Sequence, residues 1–357
     1  MGLNATEVPR VIACDESGSE GETLIGAADR VFVHASVDVE LALAEEVIDR
    51  MRADMRAQAP ELKTKTALAA RNRSNLLRAI GPLIGHSNIY LVDKYYYATV
   101  KLVELLIADA ASAFGYDLAT SGEGAQLAYA LNSKGPPALG SQVWEALLSS
   151  FNRLIRAYTR AGAQSPSPTE FFGVLDVARN SCSDDEVSFV LDLLWRGRHL
   201  AVDQPGFEPS VLREMDPMAT SLSKVARTWR LRLGDVPFEF LVDNYWGLGE
   251  ETRDLIVDSA RAELSLAGIE LPSADLRAIR LADSKLDARI QIADIFAGIG
   301  QEIGRQAFKG EFDDDLQVAV REAVDADGMW AIGSPLDVLT ERRIPEYFDR
   351  WLSGHSR

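Results

Sequence analysis

The sequence predicts an α/β fold in which helices flank a mixed β-sheet. Short apolar runs typical of strands occupy roughly the first 40 residues. Further strand-like runs then alternate with segments of helical period, as expected when helices cover the faces of a sheet. A long, purely helical stretch separates the fourth predicted strand from the fifth, and a mixed helical tail ends the chain. We therefore expect a sheet domain with a helical insertion and a helical extension.

Six strands are predicted from short apolar runs bounded by turns. They cover residues 11–14, 22–28, 30–36, 88–93, 238–243 and 276–281. A hairpin turn at Ala28-Asp29 would join the second strand to the third. Helices are predicted where apolar residues recur every three or four positions. They cover residues 40–58, 66–80, 100–107, 142–161, 169–179, 184–195, 211–233, 250–266 and 288–301.

These elements divide the chain of 357 residues into four parts. Residues 8–116 and 236–304 are expected to form the sheet domain in two pieces. Residues 117–235 would be the helical insertion, between the fourth and fifth strands, and residues 305–357 the C-terminal helical extension. A length of roughly 100–200 residues per domain agrees with a chain of about two domains.

The composition is that of a folded, acidic protein. Hydrophobic residues make up 47% and charged residues 25%, which excludes a disordered or low-complexity chain. A net charge of −17 disfavours binding to nucleic acid mainly by phosphate neutralisation. Cys14 and Cys182 are the only cysteines and lack zinc-ligand spacing, so neither a disulfide framework nor a zinc site is expected. Without a signal peptide or an apolar stretch of ~18 residues, we expect a cytoplasmic protein with no membrane partner.

Four predicted strands end in carboxylates, at Asp15-Glu16, Asp93, Asp243 and Asp283. Ligands of open α/β sheets bind beyond the carboxyl ends of the strands, so these side chains are expected to approach one another. Like charges in a cluster repel, and a divalent cation with hard oxygen ligands, Mg²⁺ or Mn²⁺, relieves that repulsion. An Asx turn is the alternative interpretation of any one of these residues.

Asp294 is the most informative acidic residue, because it lies inside a predicted helix that is apolar on almost every side. Burying an unpaired carboxylate costs several kcal/mol, so Asp294 should be neutral, paired or metal-bound. Gln291, three residues earlier, lies on the same helical face and would orient it. A salt bridge from Asp294 to Arg289 or Arg305 is the alternative.

Two further segments carry candidate site residues. Strand alternation places Asp15 on one face and Glu16 on the other, so Asp15 is the preferred ligand and Glu16 joins it only if the turn rotates. A solvated acidic hairpin is the alternative there. Glu61 would supply another ligand or position water, and Lys63 would meet a phosphate, although a solvated charged turn explains both equally well.

Several of these motifs resemble the family catalogued as domain of unknown function 3800. The resemblance covers roughly residues 8–110 and 212–304. It rests on Asp15-Glu16-Ser17-Gly18, Glu61-Leu62-Lys63, Asp243, Asp283-Ser284-Lys285 and Gln291-Ile292-Ala293-Asp294. The family pattern carries Glu after the residue that corresponds to Asp243, whereas Asn244 stands here.

The resemblance implies an RNase H-like mixed sheet and a metal-dependent site lined by carboxylates. The predicted order of strands and helices agrees with such a core. Asp15 would lie at the centre of the sheet, and acids from the first helix, a strand end and the last helix would converge on it. Glu61 and Asp294 fill the helix positions. Asp93 and Asp243 compete for the strand end, with strand order favouring Asp93 and the resemblance favouring Asp243.

The function predicted from these residues is metal-dependent hydrolysis of phosphodiester bonds in RNA or DNA, that is, a nuclease. Two Mg²⁺ or Mn²⁺ ions ~3.5–4 Å apart would be bridged by Asp15 and held by Asp243 and Asp294. Lys63 or Lys285 would stabilise charge in the transition state.

Nucleic acid would require local positive charge on this acidic chain. Arg71, Arg73 and Arg78 form one candidate face, and residues 227–232 form another, with Trp229 available for base stacking. A helix surface with unrelated arginines is the alternative for each face.

The main alternative function is a binding or assembly protein with little or no catalysis. The helical insertion and the C-terminal extension would then dock a protein partner or a second copy of the chain. Phosphoryl transfer from a nucleotide is disfavoured, because the sequence contains no G-x-x-x-x-G-K-[ST] loop.

Overall fold

The computed structural model describes residues 8–57, 62–118, 120–159, 168–203, 215–266 and 269–341. Glu61, Pro60 and the last part of the predicted C-terminal extension, residues 342–357, lie outside the described residues. The described residues form a mixed five-stranded open sheet flanked by helices, so the predicted α/β class is confirmed. The four-part division of the chain stays a prediction.

Seven strands are described. They are β1 (Arg10–Ser17), β2 (Val31–Val37), β3 (Ser87–Asp93), β4 (Phe238–Asp243), β5 (Leu264–Leu266), β6 (Ile269–Leu271) and β7 (Leu276–Ala282). The five-stranded sheet has the order β3-β2-β1-β4-β7, and β5 pairs with β6 separately. β2 is antiparallel to both β1 and β3, whereas β4 is parallel to β1 and β7 is parallel to β4. β1 is therefore the central strand of the sheet.

The α-helices begin after β2 and cover both faces of the sheet. They are α1 (Leu41–Met55), α2 (Thr64–Ala67), α3 (Arg73–Ile80), α4 (Lys94–Val103), α5 (Asp109–Ser112), α6 (Glu123–Leu139), α7 (Ser141–Thr159), α8 (Pro168–Ser181), α9 (Asp185–Asp203), α10 (Pro217–Leu233), α11 (Glu250–Arg261), α12 (Ala288–Lys309) and α13 (Asp314–Val320). A π-helical turn, Glu104–Ala108, extends α4. None of the described helices is both long and apolar enough to cross a membrane.

The strand predicted over residues 22–28 does not form. Glu22 forms an isolated bridge to Glu20, and the Asn152 side chain of α7 bonds the backbone of the segment. The Asn152 side chain accepts from the Leu24 N–H at 3.1 Å and donates to the Glu22 carbonyl at 2.9 Å. The apolar pattern of this segment reflects packing of Leu24 and Ile25 into the core. The helices that follow Asp93 therefore lie between the third and fourth strands, β3 and β4, and not between the fourth and fifth as predicted. The insertion itself stays a prediction.

Alternation along β1 directs its side chains into two different cores. Ala13 belongs to the core between the sheet and the helices α1 and α12, with Leu241 and Phe296. Ile12 and Cys14 belong to the core shared with the helical region between β3 and β4. Because successive residues of a strand face opposite sides, Asp15 faces α12 and Glu16 begins on the other face.

α12 crosses the sheet at close range because two of its glycines, Gly300 and Gly304, face the strands. A Cβ added at Gly300 would lie 2.6 Å from Cγ2 of Ile89, and one at Gly304 would lie 3.2 Å from Cγ1 of Val31. Larger residues at these positions would push the helix away from the strands. This close approach brings the first turns of α12 to the carboxyl end of β1.

Candidate functional site

Asp15 lies at the centre of a carboxylate cluster at the carboxyl end of β1. Its side chain is 7% exposed. Burial, followed by the negative charges of Glu16, Asp294 and Asp243, raises the pKa of Asp15 to about 9. The structure thus brings together three acids that are far apart in the sequence and that the strand-end and helix patterns singled out. Their role as metal ligands stays a prediction.

Asp243 reaches the cluster from β4, the parallel neighbour of β1. Cys14 pairs with Val242, so the next residues along both strands, Asp15 and Asp243, lie side by side at the sheet edge. The Asp243 Oδ1 atom accepts hydrogen bonds from the Asn244 N–H at 2.8 Å and the Ser284 N–H at 3.1 Å. These bonds orient the carboxylate and attach the loop between β7 and α12 to the end of β4.

Asp294 reaches the cluster from the second turn of α12. The Thr64 hydroxyl lies 2.9 Å from the Asp294 Oδ2 atom and 2.9 Å from its carbonyl oxygen, and it donates to them. The start of α2 fits against α12 because Gly298 has no side chain, where a Cβ would collide with the Thr64 side chain. Thr64 therefore orients Asp294, a role that the sequence did not indicate.

The alternative partners proposed for Asp294 bond elsewhere. Arg289 pairs with Asp287 at 2.6 Å, and Arg305 pairs with Glu302 at 2.7 Å. Gln291, expected to orient Asp294, instead donates from Nε2 to the Ser284 carbonyl at 2.9 Å. It thereby fixes the loop that bonds Asp243, so its effect on the cluster is indirect.

Glu16 is drawn toward the same cluster. Burial raises the pKa of Glu16 to about 7, a hydrogen bond with the Asp15 carboxyl opposes the rise, and the charges of Asp243 and Asp216 add to it. The residue therefore lies within hydrogen-bonding reach of Asp15, although strand alternation starts it on the opposite face. Glu16 itself lies within β1, paired with His34 of β2, so its place among the metal ligands stays a prediction.

Asp93 pairs with an arginine and caps a helix. Its carboxylate accepts hydrogen bonds from Nε and Nη2 of Arg30, at 3.0 Å each. It also accepts a hydrogen bond from the Tyr95 N–H at 3.0 Å, which caps the start of α4. β3 is also two strands away from β1 in the sheet. Strand order favours Asp93 only if residues 22–28 count as a strand, and they do not form one. The structure therefore favours Asp243, which ends the strand next to β1, for the strand-end position.

The predicted lysines and Asp283 lie around the cluster. Lys63 directly precedes Thr64, and Lys285 lies in the loop that bonds Asp243; both are exposed. The Lys285 N–H donates to Asp283 Oδ1 at 2.9 Å, which is the Asx turn that was the alternative reading of Asp283. Glu61 lies outside the described residues.

The arginine-rich segment of α10 makes hydrogen bonds within the protein. Trp229 is 2% exposed and donates to Ser36 Oγ at 2.8 Å, so it is unavailable for base stacking. Arg227 donates to three backbone carbonyls, and Arg232 donates to the Ser87 carbonyl at 2.6 Å. These guanidinium groups bond backbone carbonyls of neighbouring elements, which the sequence pattern could not distinguish from a binding face.

The other predicted basic face also contains internal ion pairs. Arg73 pairs with Asp313, and Arg78 lies 3.8 Å from Asp54. Arg71 is exposed. Two of these three charges are therefore already matched by carboxylates of the same chain.

The donor chemistry of the cluster fits a hard divalent cation. Asp15, Glu16, Asp243 and Asp294 offer oxygen ligands, and their mutual repulsion is the kind that a bound cation relieves. Among the described residues, no group of three or more His, Cys, Asp or Glu side chains is already arranged to hold a metal ion. Side-chain rotation at the cluster would therefore have to accompany binding.

A second polar group, which the sequence did not reveal, supports the loop after Asp243. The Tyr245 hydroxyl donates to Asp216 Oδ2 at 2.8 Å and lies 3.2 Å from Ser19 Oγ. Burial, together with the charge of Asp216, raises the pKa of Tyr245, which therefore remains a hydrogen-bond donor.

No family profile, curated protein or solved structure matches this chain.

Proposed function

We propose that this protein is an RNase H-like, metal-dependent nuclease whose active site contains Asp15, Asp243 and Asp294. The observation that carries the proposal is the meeting of these carboxylates from the central strand, its parallel neighbour and the last long helix. The sheet supports the fold assignment, because in the order β3-β2-β1-β4-β7 only β2 runs antiparallel to the other four strands.

Asp15, Asp243 and Asp294 would hold Mg²⁺ or Mn²⁺, with Glu16 as a further oxygen ligand. When bound, such ions lower the pKa of an attacking water and stabilise the leaving oxygen of a phosphodiester. Asp15 is the natural shared ligand, because the charges of the other three acids all act on it.

The surrounding residues fix the orientation of these ligands. The Thr64 hydroxyl holds Asp294, and the Ser284 and Asn244 N–H groups hold Asp243. Partners of this kind restrict the orientations that metal ligands adopt and are worth about 10–100-fold in metal affinity or activity. Lys63 and Lys285, which flank the cluster, would attract the substrate phosphate and stabilise its developing charge.

A cleavage assay tests the proposal. Purified protein is incubated with single-stranded RNA, single-stranded DNA and an RNA–DNA hybrid, each with Mn²⁺, Mg²⁺ or EDTA. Cleavage should require the cation, and it should fall by at least about 100-fold in Asp15→Asn and Asp294→Asn. Asp283→Asn is the matched control, because Asp283 ends a strand at the same edge but bonds its own turn.

Two results would contradict the proposal. The first is cleavage that persists in EDTA. The second is Asp15→Asn protein, folded by circular dichroism, that cleaves as fast as the wild type.

A further inference from the structure

Trp246 is an exposed aromatic residue beside the carboxylate cluster. It follows Asp243 by three residues, in the loop between β4 and α11, and 64% of its surface is exposed. A tryptophan has a large apolar surface whose exposure to water is unfavourable, and exposed apolar groups often mark binding sites. Its position at the edge of the acidic site makes it a candidate contact for a substrate held there.

The neighbouring residues hold the Trp246 ring in a defined position. The ring stacks on Tyr245 with centroids 6.4 Å apart and an angle of 30° between the planes. Tyr245 is itself buried and fixed by Asp216 and Ser19. One edge of the Trp246 ring faces Gly21, where an added Cβ would lie 3.1 Å from Cζ2. A ring held in this way loses little conformational freedom on binding.

Because the chain is strongly acidic, a contact to nucleic acid that does not depend on charge would favour binding. With a net charge of −17, long-range electrostatics repel a polyanion. Arg227 and Arg232 donate to backbone carbonyls of the protein. Base stacking on an aromatic ring contributes attraction that does not depend on phosphate neutralisation.

We propose that Trp246 stacks on an unpaired nucleobase and so positions the neighbouring phosphodiester at Asp15 and Asp243. The inference rests on the proposed nuclease function and deepens it by naming the substrate as single-stranded nucleic acid. A base inside a duplex is paired and stacked on both faces, so a single exposed ring selects strands whose bases are free. Trp246 is a positioning residue in this account, and the carboxylates remain the catalytic ones.

Binding is measured apart from cleavage, with the Asp15→Asn protein and a fluorescein-labelled oligothymidine of ~12 nucleotides. Adding Trp246→Ala should weaken this binding about 10–100-fold, whereas Trp246→Phe should keep most of it because a stacking face remains. Phe312→Ala removes another exposed aromatic side chain and is the matched control. The loss caused by Trp246→Ala should be the same at low and high salt, and it should vanish for an abasic strand.

The outcomes separate the inference from the proposed function. Equal binding with and without the Trp246 ring, or no measurable binding of oligothymidine, would overturn the inference and leave any cation-dependent cleavage by the wild type standing. Trp246-dependent binding by a wild-type protein that cleaves no substrate would uphold the stacking role and overturn the nuclease. A ring that acts only in packing would affect an abasic strand as much as oligothymidine, which would also overturn the inference.

Discussion

Asp15 and Asp93 show how two aspartates with similar sequence surroundings acquire opposite roles. Each follows an apolar strand, and each is buried. Asp93 accepts two hydrogen bonds from the Arg30 guanidinium, whereas the charges that raise the pKa of Asp15 are all carboxylates. The sequence could predict both as strand-end acids, but not their partners, because Arg30 lies 63 positions away in the chain.

This contrast predicts opposite effects of two identical substitutions on stability. At pH 8 the folded protein holds Asp15 largely protonated, whereas the unfolded chain ionises it. Asp15→Asn removes this cost of protonation and should raise the free energy of unfolding in EDTA by about 1–3 kcal/mol. Asp93→Asn breaks an ion pair with Arg30 and should lower it by about 1–3 kcal/mol. Urea unfolding followed by circular dichroism measures both. A destabilised Asp15→Asn protein would show that Asp15 has a stabilising partner instead of repelling neighbours.

The buried side chain of His34 makes the stability of the protein depend on pH. It is fully buried on β2, and neither ring nitrogen has a hydrogen-bond partner among the described residues. Burial lowers the pKa of His34 to about 3. The unfolded chain protonates this residue near pH ~6.5, so between those two values the unfolded state holds more protons and stability falls as the pH falls.

The free energy of unfolding of the wild type should therefore lose about 2 kcal/mol from His34 alone between pH 7 and pH 5. His34→Leu should lose less than the wild type over the same interval, because leucine does not titrate. Urea denaturation of both proteins at the two pH values gives the difference. Parallel losses in the two proteins would show that His34 does not resist protonation.

At the scale of elements, the site depends on where three segments meet. The positions of β1, β4 and the helix that carries Asp294 could be predicted, since their apolar patterns are long and regular. The segment over residues 22–28 could not, because its apolar residues pack on α7 without joining the sheet. The role of Thr64 could not be predicted from the sequence either, because its hydrogen bond to Asp294 depends on the close approach of α2 to Gly298.

Gly18 sets the turn that leaves β1 directly after the acids. Its φ of +75° lies in the left-handed region, and a Cβ there would collide with the Val31 carbonyl and the Gln301 side chain. Gly26 has a φ of +76° but open space around it, so it is a matched control. Both substitutions to alanine incur the conformational cost, which is about 1 kcal/mol.

Gly18→Ala should therefore destabilise the protein more than Gly26→Ala, by a further ~1–3 kcal/mol, because β2 or α12 has to shift. Thermal or urea unfolding of the two variants gives the comparison. If the two variants lose the same free energy of unfolding, the Val31 carbonyl and Gln301 move aside without an energetic cost. The turn at Gly18 would then not fix the positions of Asp15 and Glu16.

At the scale of the whole molecule, the alternation of strand and helix patterns predicted the fold class. It did not predict which basic and aromatic residues are exposed at the surface. The arginines of α10 and Trp229 pointed to a nucleic-acid face, yet they bond carbonyls and fill the core. Residue type and spacing are the same for an arginine that binds phosphate and one that caps a neighbouring element. Trp246, which no pattern singled out, has the exposure and the location that Trp229 lacks.

The proposed function depends on a cation bound by acids from β1, β4 and α12. Anomalous diffraction from crystals soaked in Mn²⁺ measures this directly. We predict a peak within coordinating distance of the Asp15, Asp243 and Asp294 carboxylates, and no such peak in crystals of Asp15→Asn grown and soaked in the same way. Wild-type crystals at saturating Mn²⁺ that show no peak among these three side chains would contradict the proposed cation site.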